Sequence, residues 1–162
     1  MRINKDNTAK RLLEFENVCR NAGVKVTHQR REIFREVAAT DEHPDVESVY
    51  KRVKVRIPEI SLDTVYRTLW MLHDLGLVVA LGVSQERVRF DANTSKHHHF
   101  VCTQCGMTRD FYSDDLDNLK IPDQVRSIGR IDATQVEVRG MCLKCIQKKQ
   151  PPTCASRKKE ST

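Results

Sequence analysis

Four cysteines in two pairs, Cys102-x2-Cys105 and Cys142-x2-Cys145, constrain this chain more than any other feature. Two residues between thiolates let both sulfurs reach one ion. Two such pairs complete a tetrahedral shell with no open position, so a four-cysteine zinc site is expected here, stabilising rather than catalytic. The 36 residues between the pairs exceed a common zinc-ribbon spacing, and a helix can occupy the excess. Bound zinc would offset the thin core of a domain this small. Of the other two cysteines, Cys19 is expected in a helix as a small core residue, and Cys154 as an exposed tail thiol.

The histidine run His97-His98-His99 just upstream has a different chemistry. Side chains alternate along an extended segment, so His97 and His99 are expected on one face and His98 on the other. Asp91 precedes the run, Asp110 falls on the next strand, and His43 lies in a turn far upstream. Three imidazoles and two carboxylates make a mixed N/O donor set suited to Fe(II), Mn(II) or Zn(II). If His43 is a ligand, the ion bridges two domains, and its occupancy biases their arrangement.

Apolar spacing places a helix over residues 8–22, ended by Gly23. Thr27 caps a second helix with Ile33, Phe34 and Val37 inward, and Asp45 caps a third. Ser61 starts a fourth, running to Leu75, with Leu62, Val65, Leu69, Trp70 and Leu72 inward. The apolar runs at 77–83 and 87–90 read as a β-hairpin. Helices followed by such a hairpin form a winged helix-turn-helix. On its recognition helix Thr64, Tyr66, Arg67 and Thr68 are expected to face DNA, with Arg30 and neighbouring basic residues on the phosphates.

The expected organisation is α+β. Residues 1–90 form the winged-helix DNA-binding domain, 91–98 a linker carrying metal ligands, 99–146 a small α/β dimerisation domain with the zinc site, and 147–162 a disordered basic tail. In the small domain, Pro122 breaks or divides a helix over 113–127. Net charge is +6, concentrated at both ends, and the middle is slightly acidic. That suits nucleic acid at one end and cations at the other. No apolar run approaches a membrane span or a signal peptide, so the chain is expected to be cytoplasmic and away from membranes. A zinc deaminase would need H-x-E with P-C-x2-C. No Glu lies between Glu86 and Glu137, and neither pair follows a proline, so no enzyme is expected.

These segments together resemble the ferric uptake regulator family, most closely its peroxide-responsive branch. The resemblance spans roughly residues 8–146. It rests on Thr27-His28-Gln29-Arg30, on Asp63 through Leu69, on Arg89-Phe90-Asp91, on His97 through Gly106, and on Gly140-Met141-Cys142-Leu143-Lys144-Cys145. It implies a homodimer that binds a palindromic DNA operator, usually as a repressor, with no small organic substrate. It implies structural zinc on the four cysteines, and regulatory Fe(II) or Mn(II) on His43, Asp91, His97, His99 and Asp110. Aspartate at 91 and 110 resembles the peroxide sensors, where bound Fe(II) reacts with hydrogen peroxide and a histidine ligand is oxidised. His43 and His97 are the positions for that oxidation here. The alternative within the family is an iron- or other divalent-metal-responsive repressor of uptake genes without peroxide sensing. A further family site is expected to be absent or impaired, because no His follows His99 and Lys96 replaces another common ligand.

Overall fold

The computed structural model describes residues 5–82, 88–131 and 133–149. The chain divides into two compact units between His97 and His98.

The first unit opens with four helices, α1 (Lys5–Asn21), α2 (His28–Ala38), α3 (Val46–Lys54) and α4 (Leu62–Asp74). Three of them begin at a side-chain cap of the expected kind. Thr27 accepts from the Arg30 N–H, Asp45 from the Ser48 N–H, and Ser61 from the Thr64 N–H. Each cap satisfies a donor that the first helical turn leaves unpaired. Strands β1 (Val79–Leu81) and β2 (Arg89–Asp91) then pair antiparallel, Ala80 opposite Phe90. The tip of this hairpin lies outside the described residues. Phe15 and Phe34 stack at 5.0 Å, and with Ile33, Val37, Val49, Val53, Val65, Leu69, Leu72 and Phe90 they build one buried core. Cys19 lies in that core, as expected.

A charged cluster fixes the turn into α4. Buried Glu32 on α2 accepts from Arg56 Nε at 2.8 Å and pairs with Arg35 at 2.5 Å, while Arg56 also reaches Glu36. Arg56 follows α3, so the cluster ties α2 to the chain entering α4.

Two residues of α4 depart from expectation. Leu62, expected inward, is 45% exposed, and Thr68, expected to face DNA, is only 5% exposed. Thr68 lies three and four residues from Val65 and Leu72, on the stripe that packs inward. Leu62 is in the first turn, ahead of the part that the core covers.

The segment 91–98, expected as a linker, contains parts of strands at both ends. Asp91 lies in β2, Ala92 is packed in the first unit's core, and His98 already belongs to a strand of the second unit. Buried Phe90 and Ala92 on either side of Asp91 hold this stretch to the first unit.

The second unit contains β3 (His98–Cys102), β4 (Thr108–Phe111), α5 (Asp114–Asp117), α6 (Asp123–Arg126), β5 (Glu137–Gly140) and α7 (Leu143–Lys149). The sheet order is β4-β3-β5, with β4 antiparallel and β5 parallel to β3. The helix expected over 113–127 is divided into two short ones, with Pro122 immediately ahead of α6. Residues 147–149, expected in the tail, continue α7. The remainder of that tail, with Cys154, lies outside the described residues.

Candidate metal centres

The four cysteines come together at one end of the small sheet. Cys102 ends β3, and Cys105 sits in the turn to β4, where Gly106 adopts φ 68° and its N–H donates to the Cys102 carbonyl at 2.9 Å. Cys142 and Cys145 flank the start of α7. The parallel register aligns Cys102 with Gly140, which carries the second pair to the first. A Cβ at Gly140 would meet the Phe100 ring at 3.2 Å, so a small residue suits this approach.

All four sulfurs lie within 4.8 Å of one another, and Cys105 Sγ is 3.8 Å from Cys142 Sγ. A tetrahedron with zinc–sulfur bonds near 2.3 Å has sulfurs about 3.8 Å apart, so the donor set fits structural zinc. The Cys142 N–H donates to Cys102 Sγ at 3.3 Å. Together with the Cys105 amide it draws the Cys102 thiol down to about 6, against the effect of burial. Cys145, hydrogen-bonded with the Cys142 and Cys105 sulfurs and buried, is pushed up to about 12. The amide donors thus favour the thiolate form of Cys102, the form that attracts a cation.

In the first unit, His43, Asp91 and His97 are buried and form a second cluster. Asp91 Oδ2 lies 2.9 Å from His97 Nε2 and 3.4 Å from His43 Nε2. Its other oxygen accepts from the Asn93 N–H at 2.7 Å, which fixes the carboxylate. His97 Nδ1 lies 2.6 Å from the Ser95 carbonyl, which can only accept, so Nδ1 carries a proton. Nε2 then faces Asp91 across a gap that needs either a second proton or a metal ion to be attractive. A backbone carbonyl on one ring nitrogen is also the usual partner of a metal-ligating histidine.

In the second unit, His99 and Asp110 are directly opposite on β3 and β4, with His99 Nε2 3.4 Å from Asp110 Oδ1. His98 has a separate task. It is buried, its Nδ1 accepts the Val136 N–H at 3.3 Å, and its Nε2 lies 3.3 Å from Asp117 Oδ1. Sequence reasoning did not find these partners. It also missed Arg89, whose guanidinium donates to the His43 carbonyl at 3.0 Å. Both depend on residues far away in the chain.

On α4, Tyr66 is 51% exposed, Thr64 is half-buried, and Arg67 pairs at the surface with Asp63. Arg30 donates to the Lys25 carbonyl at 2.6 Å. Among the described residues, no helix is long and apolar enough to cross a membrane.

Residues 21–136 match the model of the ferric uptake regulator family. The chain is 33% identical over 128 residues to the peroxide-responsive repressor PerR of Staphylococcus epidermidis, covering 78% of this chain and 84% of the relative. The ferric uptake regulator of Helicobacter pylori, described as having three functional metal-binding sites, shares the fold. Its TM-score is 0.72 at 18% identity, covering 93% of this chain and 99% of that one. The ferric uptake regulator of Francisella tularensis, solved with iron, matches at a TM-score of 0.64 and 26% identity over 76% of this chain and 96% of its own. The chain therefore belongs to the ferric uptake regulator family, whose members are metal-responsive, DNA-binding transcription regulators rather than enzymes.

Proposed function

We propose that this regulator is a repressor whose hold on DNA depends on Fe(II) or Mn(II) bound by His43, Asp91, His97, His99 and Asp110, and that it senses peroxide. The observation that carries the reading is the sharing of Asp91 Oδ2 by two buried imidazoles, His43 and His97. His99 follows His97 by only two residues and brings Asp110 with it as its cross-strand partner. The five side chains supply the mixed imidazole and carboxylate donor set that such an ion takes.

In this reading residues 1–90 bind DNA, with Thr64, Tyr66 and Arg67 of α4 toward the bases and Arg30 toward the backbone. The region 99–146, clamped by zinc on Cys102, Cys105, Cys142 and Cys145, makes a homodimer suited to a palindromic operator. A bound Fe(II) supplies the one-electron chemistry that activates hydrogen peroxide. His43 and His97 would be the rings open to that oxidation, in which a peroxide oxygen would enter a ring C–H bond and the other oxygen would leave as water. The oxidised ring is a poorer ligand, and the complex with DNA is released. Similarity to a peroxide-responsive repressor supports this reading, as does aspartate at both carboxylate positions.

The test is to load the protein with Fe(II), add peroxide, and weigh the peptides holding His43 and His97. One added oxygen with Fe(II), none with Mn(II), and loss of binding to a palindrome selected from random duplexes are expected. Unchanged peptides with metal-dependent DNA binding would instead make it a divalent-metal-responsive repressor. DNA binding indifferent to metal would overturn both readings.

A further inference from the structure

His43 is, among the described residues, the only non-glycine with a positive φ, at 49°. A residue with a Cβ is disfavoured there, although histidine tolerates it better than most. Pro44 adds a second constraint, because a residue before proline favours an extended backbone. Something must hold His43 in place.

The adjoining strand does so. Arg89 Nη1 donates to the His43 carbonyl at 3.0 Å, the Phe90 N–H donates to the Pro44 carbonyl at 3.0 Å, and Asp45 pairs antiparallel with Arg89. Asp45 is itself anchored as the cap of α3, accepting from Ser48 at 2.8 Å. Arg89 and Asp91 are two apart on β2 and so share a face, while Phe90 turns into the core. That face grips one residue at both ends. Arg89 takes the His43 carbonyl, and Asp91 takes its imidazole Nε2 at 3.4 Å.

We propose that Arg89 is a positioning residue for the regulatory metal. By holding the His43 carbonyl it sustains the left-handed backbone that keeps the imidazole over Asp91. A guanidinium offers a metal no lone pair, so Arg89 acts only through His43. Without it, His43 relaxes to the extended backbone that Pro44 favours, and its ring leaves the site. This inference rests on the metal reading proposed above, and its test separates the two.

The experiment uses the full chain with the cysteine site loaded with zinc and takes Mn(II) as the probe. Affinity is read from the electron paramagnetic resonance of free Mn(II). The proteins are wild type, Arg89→Met, Arg89→Lys, His43→Ala and the double variant His43→Ala/Arg89→Met. Arg89→Met is expected to weaken Mn(II) binding by about 10–100-fold, as loss of a ligand-orienting partner does elsewhere. Arg89→Lys, which keeps one donor, is expected to lose less. The double variant is expected to bind no more weakly than His43→Ala alone, because Arg89 has nothing left to position.

Wild-type affinity in Arg89→Met would overturn the proposal, as it would if Arg89 served only DNA phosphates. Losses that multiply in the double variant would also overturn it, because Arg89 would then act independently of His43. If Arg89→Met fails to fold, the same cycle with Arg89→Lys decides the matter by the same criterion. If His43→Ala itself binds Mn(II) like wild type, the metal reading fails and the role of Arg89 falls with it.

Discussion

The Trp70 ring of α4 meets the Phe90 ring of β2 edge to face, with centroids 5.9 Å apart and planes at 84°. Phe90 is fully buried and lies beside Asp91, and Trp70 is the only tryptophan of the chain. One contact therefore joins the strand that carries a proposed metal ligand to the helix proposed to read DNA. Phe90→Ala should destabilise the first unit by about 3–5 kcal/mol through lost burial and an unfilled cavity. Urea unfolding followed by Trp70 emission measures this. A cost below about 1 kcal/mol would mean that Phe90 is not a core anchor.

The cysteine site should decide whether the small unit folds. In Cys142→Ser the cluster loses one sulfur, the one that lies 3.8 Å from Cys105 Sγ. Structural zinc contributes folding energy directly. The variant should purify without stoichiometric zinc and show fast amide exchange throughout β3, β4 and β5, with the first unit still protected. Full zinc occupancy in metal analysis would contradict the four-sulfur assignment.

Asp45 gives a pH dependence with a definite sign. Burial works to raise its pKa, but hydrogen bonds from Ser48 and the charges of Arg89 and Lys51 outweigh it, leaving the carboxyl below 3.8. A depressed folded pKa adds stability that is fully present above the unfolded value and lost as pH falls through the folded one. Asp45→Ala should therefore cost about 1 kcal/mol at neutral pH, as for a lost helix cap. The difference from wild type, followed on Trp70, should close as the pH is taken below 3.8. A difference that widens in acid would exclude the ionised carboxylate as its source.

His98 should matter for folding rather than for metal binding. His98→Leu keeps much of the volume but removes the acceptor of the Val136 N–H. A buried donor left unsatisfied costs about 1–3 kcal/mol. Exchange of the Val136 amide should accelerate selectively, and Mn(II) affinity should change far less than in His99→Leu. Equal losses of Mn(II) affinity in the two variants would place His98 among the ligands.

The features legible in the sequence were those set by near neighbours. Thr27, Asp45 and Ser61 cap their helices because a cap needs only the next three residues. The cysteine cluster was legible because C-x2-C spacing carries its own geometry. Thr68 and Leu62 show where periodicity fails: threonine's methyl lets it pass as a core residue, and an apolar first turn need not be covered. His98 and Arg89 were beyond reach for another reason. Their partners Val136 and His43 stand 38 and 46 residues away, and only the folded chain brings them together.

The sheet order β4-β3-β5 has a consequence for the covalent chain itself. β4 and β5 flank β3 on opposite edges, so the chain between Phe111 and Glu137 has to cross from one edge of the sheet to the other. Its two ends are joined by the ladder and by the four sulfurs, while Ile128 midway is 85% exposed. A chain severed there would yield two fragments, each bearing one cysteine pair. Zinc would then splice them, doing the work of the missing peptide bond, and a chelator would part them again.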